Sequence, residues 1–318
     1  MEGRMDYRAA VVGLLGIVSL TACLVSNLGG RRPVSDPSPG PQGAVEVEAA
    51  PAVLIGAGDI SVCGLDGDDQ TAALLEDLLA RYPDALVFTA GDNVQTVGAA
   101  FEFQDCFNPT WGRFRSRIRP SPGNHDWYTE AGAAYFTYFG ELAGPPGLGY
   151  YSYDFGDWHV VSLNSNCLSD GCGAESRQAQ WLRADLERSA ARCTLIYWHH
   201  PLWSSGWVPI DRAGTAFWQI AYEAGADVVV NGHDHHYERF GLLDANGRFD
   251  PENGMRLFIA GTGGAWLFEV GAPLAITEAL DNRSHGLLVL FLYPDRYQWE
   301  FVAVEAGGYS DSGGGQCH

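Results

Sequence analysis

Between residues 51 and 304, short apolar runs alternate with amphipathic stretches. Residues 52–57 and 85–90 are mostly apolar runs of strand length. Between them, residues 68–81 place Leu74, Leu75, Leu78 and Leu79 at helical spacing behind an acidic first turn, which predicts a helix joining two buried strands. Residues 150–155 and 158–163 flank Gly156-Asp157 as a hairpin. A helix at 176–190, a strand at 194–198, a helix at 214–224 and a strand at 227–230 follow, and 255–260, 286–292 and 297–304 add further strands. Strands separated by helices imply βαβ units and a largely parallel sheet, whereas the late run of strands implies a second sheet. The expected fold class is therefore α/β, a mixed β-sandwich with helices outside.

The ends of the chain read differently. Arg4 and Arg8 precede an apolar run over residues 9–20 and then Leu20-Thr21-Ala22-Cys23. This resembles the lipobox of bacterial lipoproteins, which implies a signal segment at 1–23 and a lipid anchor on Cys23, so that the protein is exported and faces the extracytoplasmic side of the cell membrane. A short uncleaved anchor is the alternative, although the run is shorter than the ~20 apolar residues of a membrane span. Residues 24–50 are rich in Pro, Gly and Ser without hydrophobic period and read as a flexible linker. The folded domain is expected at 51–306, followed by a Gly/Ser-rich tail at 307–318.

Charge narrows the partners. Acidic side chains outnumber basic ones to a net charge of -20, and every basic side chain is Arg. Such a field repels phosphate backbones, so no nucleic acid is expected as a partner. With Cys23 set aside, six cysteines remain, an even number that suits disulfides in an oxidising compartment. Six allow 15 pairings. Cys167 and Cys172 share one loop, and Cys63 and Cys106 both follow strands at one end of the sheet. Those two pairs leave Cys193 with Cys317; free buried thiols are the other possibility.

Polar residues carry the chemistry by where they fall. Asp59, Asp92, His199 and Asn231-Gly232-His233 each lie just past the carboxyl end of an apolar strand, and in parallel sheets those ends share one rim. Asn124 follows a less obvious strand near residues 117–120. Any one of these is commonly a turn or capping residue, but six with flanking glycines in one order are hard to assemble by chance. The run Gly261-Thr262-Gly263-Gly264 lacks the helix-opening pattern and Lys of a phosphate loop, and reads as a flexible turn on the rim.

Gly58-Asp59, Gly91-Asp92-Asn93, Gly123-Asn124-His125-Asp126, His199-His200-Pro201 and Gly232-His233-Asp234-His235 resemble, in this order, the calcineurin-like metallophosphoesterase superfamily. Tyr237-Glu238-Arg239 points to its purple acid phosphatase branch. The resemblance implies a four-layer αββα fold and two divalent or mixed-valence transition metal ions (Fe, Mn or Zn). Asp59, Asp92 and His235 would hold the first metal, and Asp92, Asn124, His199 and His233 the second. It also implies hydrolysis of a small-molecule phosphate ester, monoester or diester, by a hydroxide shared between the metals. His125, oriented by Asp126, would act on the transferring or leaving group, and His200 would reach phosphate oxygens.

One departure stands out. Positions where the family supplies a further ligand to the first metal are Ser61 and Gln95 here, which motivates a rival reading: a cell-surface metal-binding or adhesion protein with a degraded phosphatase site. In the loop after His199, Trp203 and Trp207 are expected to border the cleft.

Overall fold

The computed structural model describes residues 50–167 and 171–318. The expected signal segment with Cys23, and all but the last residue of the expected linker, lie outside the described residues.

Two mixed sheets face one another. In the first, β1 (Ala52–Ala57) runs parallel to β2 (Leu86–Ala90), which runs parallel to β3 (Ile118–Ser121). On its other side lie β11 (Gly286–Leu292), β12 (Arg296–Ala303) and β13 (Ser310–Gln316), all antiparallel. The second sheet begins with the antiparallel hairpin of β4 (Tyr151–Phe155) and β5 (Trp158–Ser162), and continues in parallel through β6 (Cys193–Tyr197), β7 (Val228–Asn231) and β9 (Met255–Ala260). Antiparallel β8 (Tyr237–Leu243) and β10 (Thr277–Asp281) complete it.

The period of two along each strand sorts side chains between layers. In β1, Leu54 points to the middle of the sandwich with Phe88, Leu195, Val230, Phe258 and Leu288. Its neighbours Val53 and Ile55 pack outward on Leu75 and Leu78 of α1 (Gly67–Arg81). On the far side, Ile196, Val229 and Leu257 pack on Leu182 of one helix (Arg177–Arg188) and on Phe217 and Ile220 of another (Thr215–Glu223). The result is helix, sheet, sheet, helix, as expected.

Two features depart from expectation. Residues 102–117 and 133–139 form short helical segments whose Phe103, Phe107, Trp111 and Phe139 extend the core outside the first sheet. The stretch at 307–318, expected as a tail, carries β13 and belongs to the domain. Its Gly313 lies where a Cβ would strike the Trp299 ring, so the glycines that resembled a tail let the strand lie flat on β12. Asp311 anchors it, accepting from Tyr237 Oη and Arg239 Nε at 2.7 Å and from Trp299 Nε1 at 3.0 Å.

All three favoured disulfides are present: Cys63–Cys106, Cys167–Cys172 and Cys193–Cys317. No helix among the described residues is long and apolar enough to cross a membrane.

Candidate metal centre

Asp59, Asp92, Asn124, His199 and His233 each sit two or three residues beyond the ends of β1, β2, β3, β6 and β7, so both sheets present them on one rim. Backbone bonds lace the rim together: Asp59 N–H donates to Gly91 O at 3.1 Å and Gly232 N–H to His199 O at 3.0 Å. Asp59, Asp92 and His233 hold φ of 58, 47 and 72°. Few residues other than glycine adopt this region, and where they do a site is often under strain. Gly123 explains the close approach, since a Cβ there would overlap the Asp92 carboxylate.

Tautomers follow from the fixed partners. His199 Nδ1 lies 2.9 Å from Ala90 O, which only accepts, so Nδ1 carries the hydrogen. Its Nε2 therefore turns to Asn124 Oδ1 at 3.0 Å, His233 Nδ1 at 3.2 Å and Asp92 Oδ2 at 3.2 Å. Asn124 Nδ2 donates to Tyr128 Oη at 2.8 Å, which fixes the amide with its oxygen inward. Likewise His235 Nδ1 donates to Trp266 O at 2.6 Å, leaving Nε2 3.2 Å from Asp59 Oδ1. That Asp59 oxygen is buried and accepts no hydrogen bond.

Lone pairs thus converge in a buried place. Asp59, Asp92, His199 and His235 are all nearly inaccessible. Burial works against charge on His199, but Asp92 and Asp59 raise its pKa to about 9. Against the same burial, His199 holds the Asp92 carboxyl well below the usual range. Burial, with His199 beside it, pushes His233 down to about 3. A proton on His199 Nε2 can serve only some of these acceptors. A cation bonded to them all would remove the conflict, and mixed carboxylate, amide and imidazole donors suit Fe, Mn or Zn. The residues fit such ions.

The three residues expected beside the metals are placed unequally. His125 stays part-exposed, its Nδ1 3.1 Å from Thr96 O and its Nε2 3.9 Å from Asp92 Oδ2, while its backbone N–H donates to Asp92 Oδ1 at 2.8 Å. His200 lies with His199 and His233, one ring nitrogen of each within 4.8 Å of the others. Its Nδ1 meets Ser165 Oγ at 2.7 Å. Asp126 needs correction: its buried carboxylate does not orient the His125 ring. It accepts instead from the N–H groups of Gly123 (2.9 Å), Asn93 (3.1 Å) and Val94 (3.2 Å) and from Asn93 Nδ2 (2.9 Å). This ties the Asp92 loop to the Asn124 loop.

Ser61 Oγ turns away to Asp68 Oδ2 at 2.8 Å, while buried Gln95 brings Nε2 to 3.5 Å from Asp92 Oδ2. Trp207 is exposed and packs edge-on to Phe268, which stacks on His235 at 3.9 Å, but Trp203 packs on Trp218 in the outer core. The Gly261–Gly264 turn is buried rather than loose: Gly263 N–H donates to Gly58 O at 2.9 Å.

Sequence reasoning did not single out Trp266, Phe268 and Ser165, which reach the site through one carbonyl, one ring and one hydroxyl from distant segments; no local pattern marks them. Asn93 was visible inside Gly91-Asp92-Asn93. Its role, with Thr89 Oγ1 donating to its Oδ1 at 2.7 Å and its Nδ2 donating to Ser121 O at 3.0 Å, emerges only in the fold.

A family model described as calcineurin-like phosphoesterase matches residues 53–237. Purple acid phosphatase 15 of Arabidopsis thaliana is 25% identical over 251 residues, covering 73% of this chain and 40% of that protein. An acid phosphatase of Aspergillus ficuum is 27% identical over 158 residues, 42% of this chain and 26% of that one. The chain thus spans less than half the length of these relatives. Among solved structures, purple acid phosphatase PPD1 of yellow lupin (Lupinus luteus) superposes with a TM-score of 0.64 at 18% identity, over 84% of this chain and 54% of that one. GAP50, described as the anchor in the inner membrane complex of Plasmodium, gives 0.63 at 13%, over 83% and 88%. These likenesses concern the fold.

Proposed function

The chain belongs to the calcineurin-like phosphoesterase family, and from that premise we propose that it hydrolyses phosphate esters with two metal ions, outside the cytoplasmic membrane. The observation that carries this reading is His199 Nε2 facing Asn124 Oδ1, His233 Nδ1 and Asp92 Oδ2 at 3.0–3.2 Å in a buried place.

Asp59, Asp92 and His235 would hold one ion, and Asp92, Asn124, His199 and His233 the other, with Asp92 shared. When bound, the ions supply positive charge that draws phosphoryl oxygens and lowers the pKa of water. The chain's own residues do the rest. Ala90 O and Trp266 O fix the tautomers of His199 and His235, so each presents Nε2 to its ion. Asp126 holds the Asp92 and Asn124 loops at their separation. His125, part-exposed at the mouth and steadied by Thr96, is placed to give a proton to the leaving oxygen. His200, held by Ser165, hydrogen-bonds the transferring group.

Three disulfides support an oxidising compartment. A lipid on Cys23 would keep the domain at the membrane; mass spectrometry of the membrane fraction should find Cys23 as an acylated N-terminus, and an intact unmodified leader there would contradict it. The catalytic reading is tested by supplying p-nitrophenyl phosphate to the purified protein with Fe, Mn or Zn. Metal-dependent release of nitrophenol is expected. Filled metal sites without turnover would move the protein to the metal-binding or adhesion reading, which Ser61 and Gln95 favour.

A further inference from the structure

Beside the metal centre opens a cavity of about 300 Å³. Asn124 and His200 form the side it shares with the metals. Trp127, Tyr128, Asn166 and Asp211 form much of the rest. Among the described residues the wall holds, besides the His200 imidazole, two aromatic rings and one carboxylate, and neither Lys nor Arg contributes to it.

Size and chemistry both restrict the occupant. The cavity lies at the small end of ligand pockets, which run about 300–1,000 Å³, so it suits an alcohol of a few heavy atoms rather than a large one. Aromatic faces attract cations through the ring quadrupole and tolerate neutral groups. An unpaired anion at that end would meet Asp211 with neither Lys nor Arg among the described wall residues to offset it. Asp211 Oδ1 also accepts from Ala213 N–H at 2.8 Å, which steadies the carboxylate where it stands. Tyr128 is steadied too, its Oη accepting from Asn124 Nδ2 and its ring packing edge-on to His125 at 5.0 Å.

We propose that this cavity receives the alcohol part of the ester and selects a small cationic one, of the quaternary or primary amino-alcohol class. The substrate class this adds rests on the phosphoesterase reading, but binding of the alcohol does not require turnover. An ester seated with its phosphoryl group at Asn124 and His200 would place its amino group among Trp127, Tyr128 and Asp211. A second phosphate or a carboxylate on the alcohol would be disfavoured in the same place.

The test uses choline and its uncharged isostere 3,3-dimethylbutanol, titrated calorimetrically into the full-length protein with metals bound. Choline is expected to bind about tenfold more tightly, in line with a cation at a partly desolvated aromatic site. Asp211→Asn should weaken choline severalfold and leave the isostere unchanged, and Trp127→Leu should weaken both. Equal affinities for choline and the isostere would overturn the proposal, as would choline binding indifferent to both substitutions. Turnover separates the two readings. If choline binds as expected while neither phosphocholine nor p-nitrophenyl phosphate is hydrolysed, the cavity assignment stands and the phosphoesterase reading fails. If both esters are hydrolysed but choline and its isostere bind alike, the phosphoesterase reading stands and the cavity assignment fails.

Discussion

Asp59, Asp92 and His233 hold backbone angles that cost about 1–3 kcal/mol each in ordinary residues. The chain bears that strain because each turn aims a ligand-type side chain at one point. Gly123 shows how little room is left: Gly123→Ala would push a methyl into Asp92, so the variant is expected to lose metal after dialysis while keeping its far-UV circular dichroism. Metal content by mass spectrometry decides it, and full retention would mean Asp92 is not a ligand. His125→Ala separates chemistry from metal holding. Since His125 reaches the site from a part-exposed position, the variant should keep its metals and turn over about 10²–10⁴-fold more slowly, typical of a lost acid–base group. Esters with good leaving groups should suffer less; a uniform loss would point to charge stabilisation instead of proton donation. At this scale the sequence was most informative where a polar residue ends an apolar run, as at Asp59, Asp92, His199 and His233. It was silent on Trp266 and Phe268, whose contributions come from a carbonyl and a ring face brought in by folding.

Elements with an unbroken apolar run, or with one apolar helical face, were legible, among them β1, β6 and β11 of the first kind and α1 of the second. Those missed lack such a pattern. β8 reads Tyr-Glu-Arg-Phe-Gly-Leu-Leu, with charges whose partners come largely from distant segments: Glu238 with Ser205 and Thr277 besides its near neighbour His236, and Arg239 with Asp311 and Glu278. β10 and β13 are edge strands, whose polar and glycine-rich sequences resemble loops because half their surroundings are solvent. The β4–β5 hairpin was legible, but not its tie to the following helix. His159 of β5 meets Asp154 Oδ1 at 2.9 Å and Asp185 Oδ2, on the helix Arg177–Arg188, at 3.0 Å. Burial disfavours charge on His159, yet Asp185 and Asp154 raise its pKa above the ordinary 6.5. A raised folded pKa gives stability that is complete below the unfolded value and is lost as pH rises through the folded one. The melting temperature should therefore fall as pH rises from about 6.5 through the raised folded pKa, and His159→Gln should flatten that slope. Parallel pH profiles for the two proteins would contradict the role given to His159.

Across the whole molecule, a chain of net charge -20 offers an anionic phosphate a repulsive field nearly everywhere. The four-layer sandwich answers this at one rim, where strand ends from both sheets bring carboxylates, an amide and imidazoles together around the proposed place for cations. The fold and the gathering of the candidate ligands on one rim were legible because those residues follow strands; the cavity beside them was not, since Trp127 and Tyr128 of the short helix Asn124–Tyr128 meet Asn166 and Asp211 from two distant loops. The central claim is that hydrolysis depends on metals held by these six residues. Its most direct measurement is p-nitrophenyl phosphate turnover as a function of metal ions bound per chain, in the wild type and in Asp92→Asn. Activity that rises with occupancy toward two ions, disappears on chelation, returns on reloading and is nearly absent in Asp92→Asn is the expected result. Undiminished turnover by the metal-free protein, or by Asp92→Asn, would contradict it.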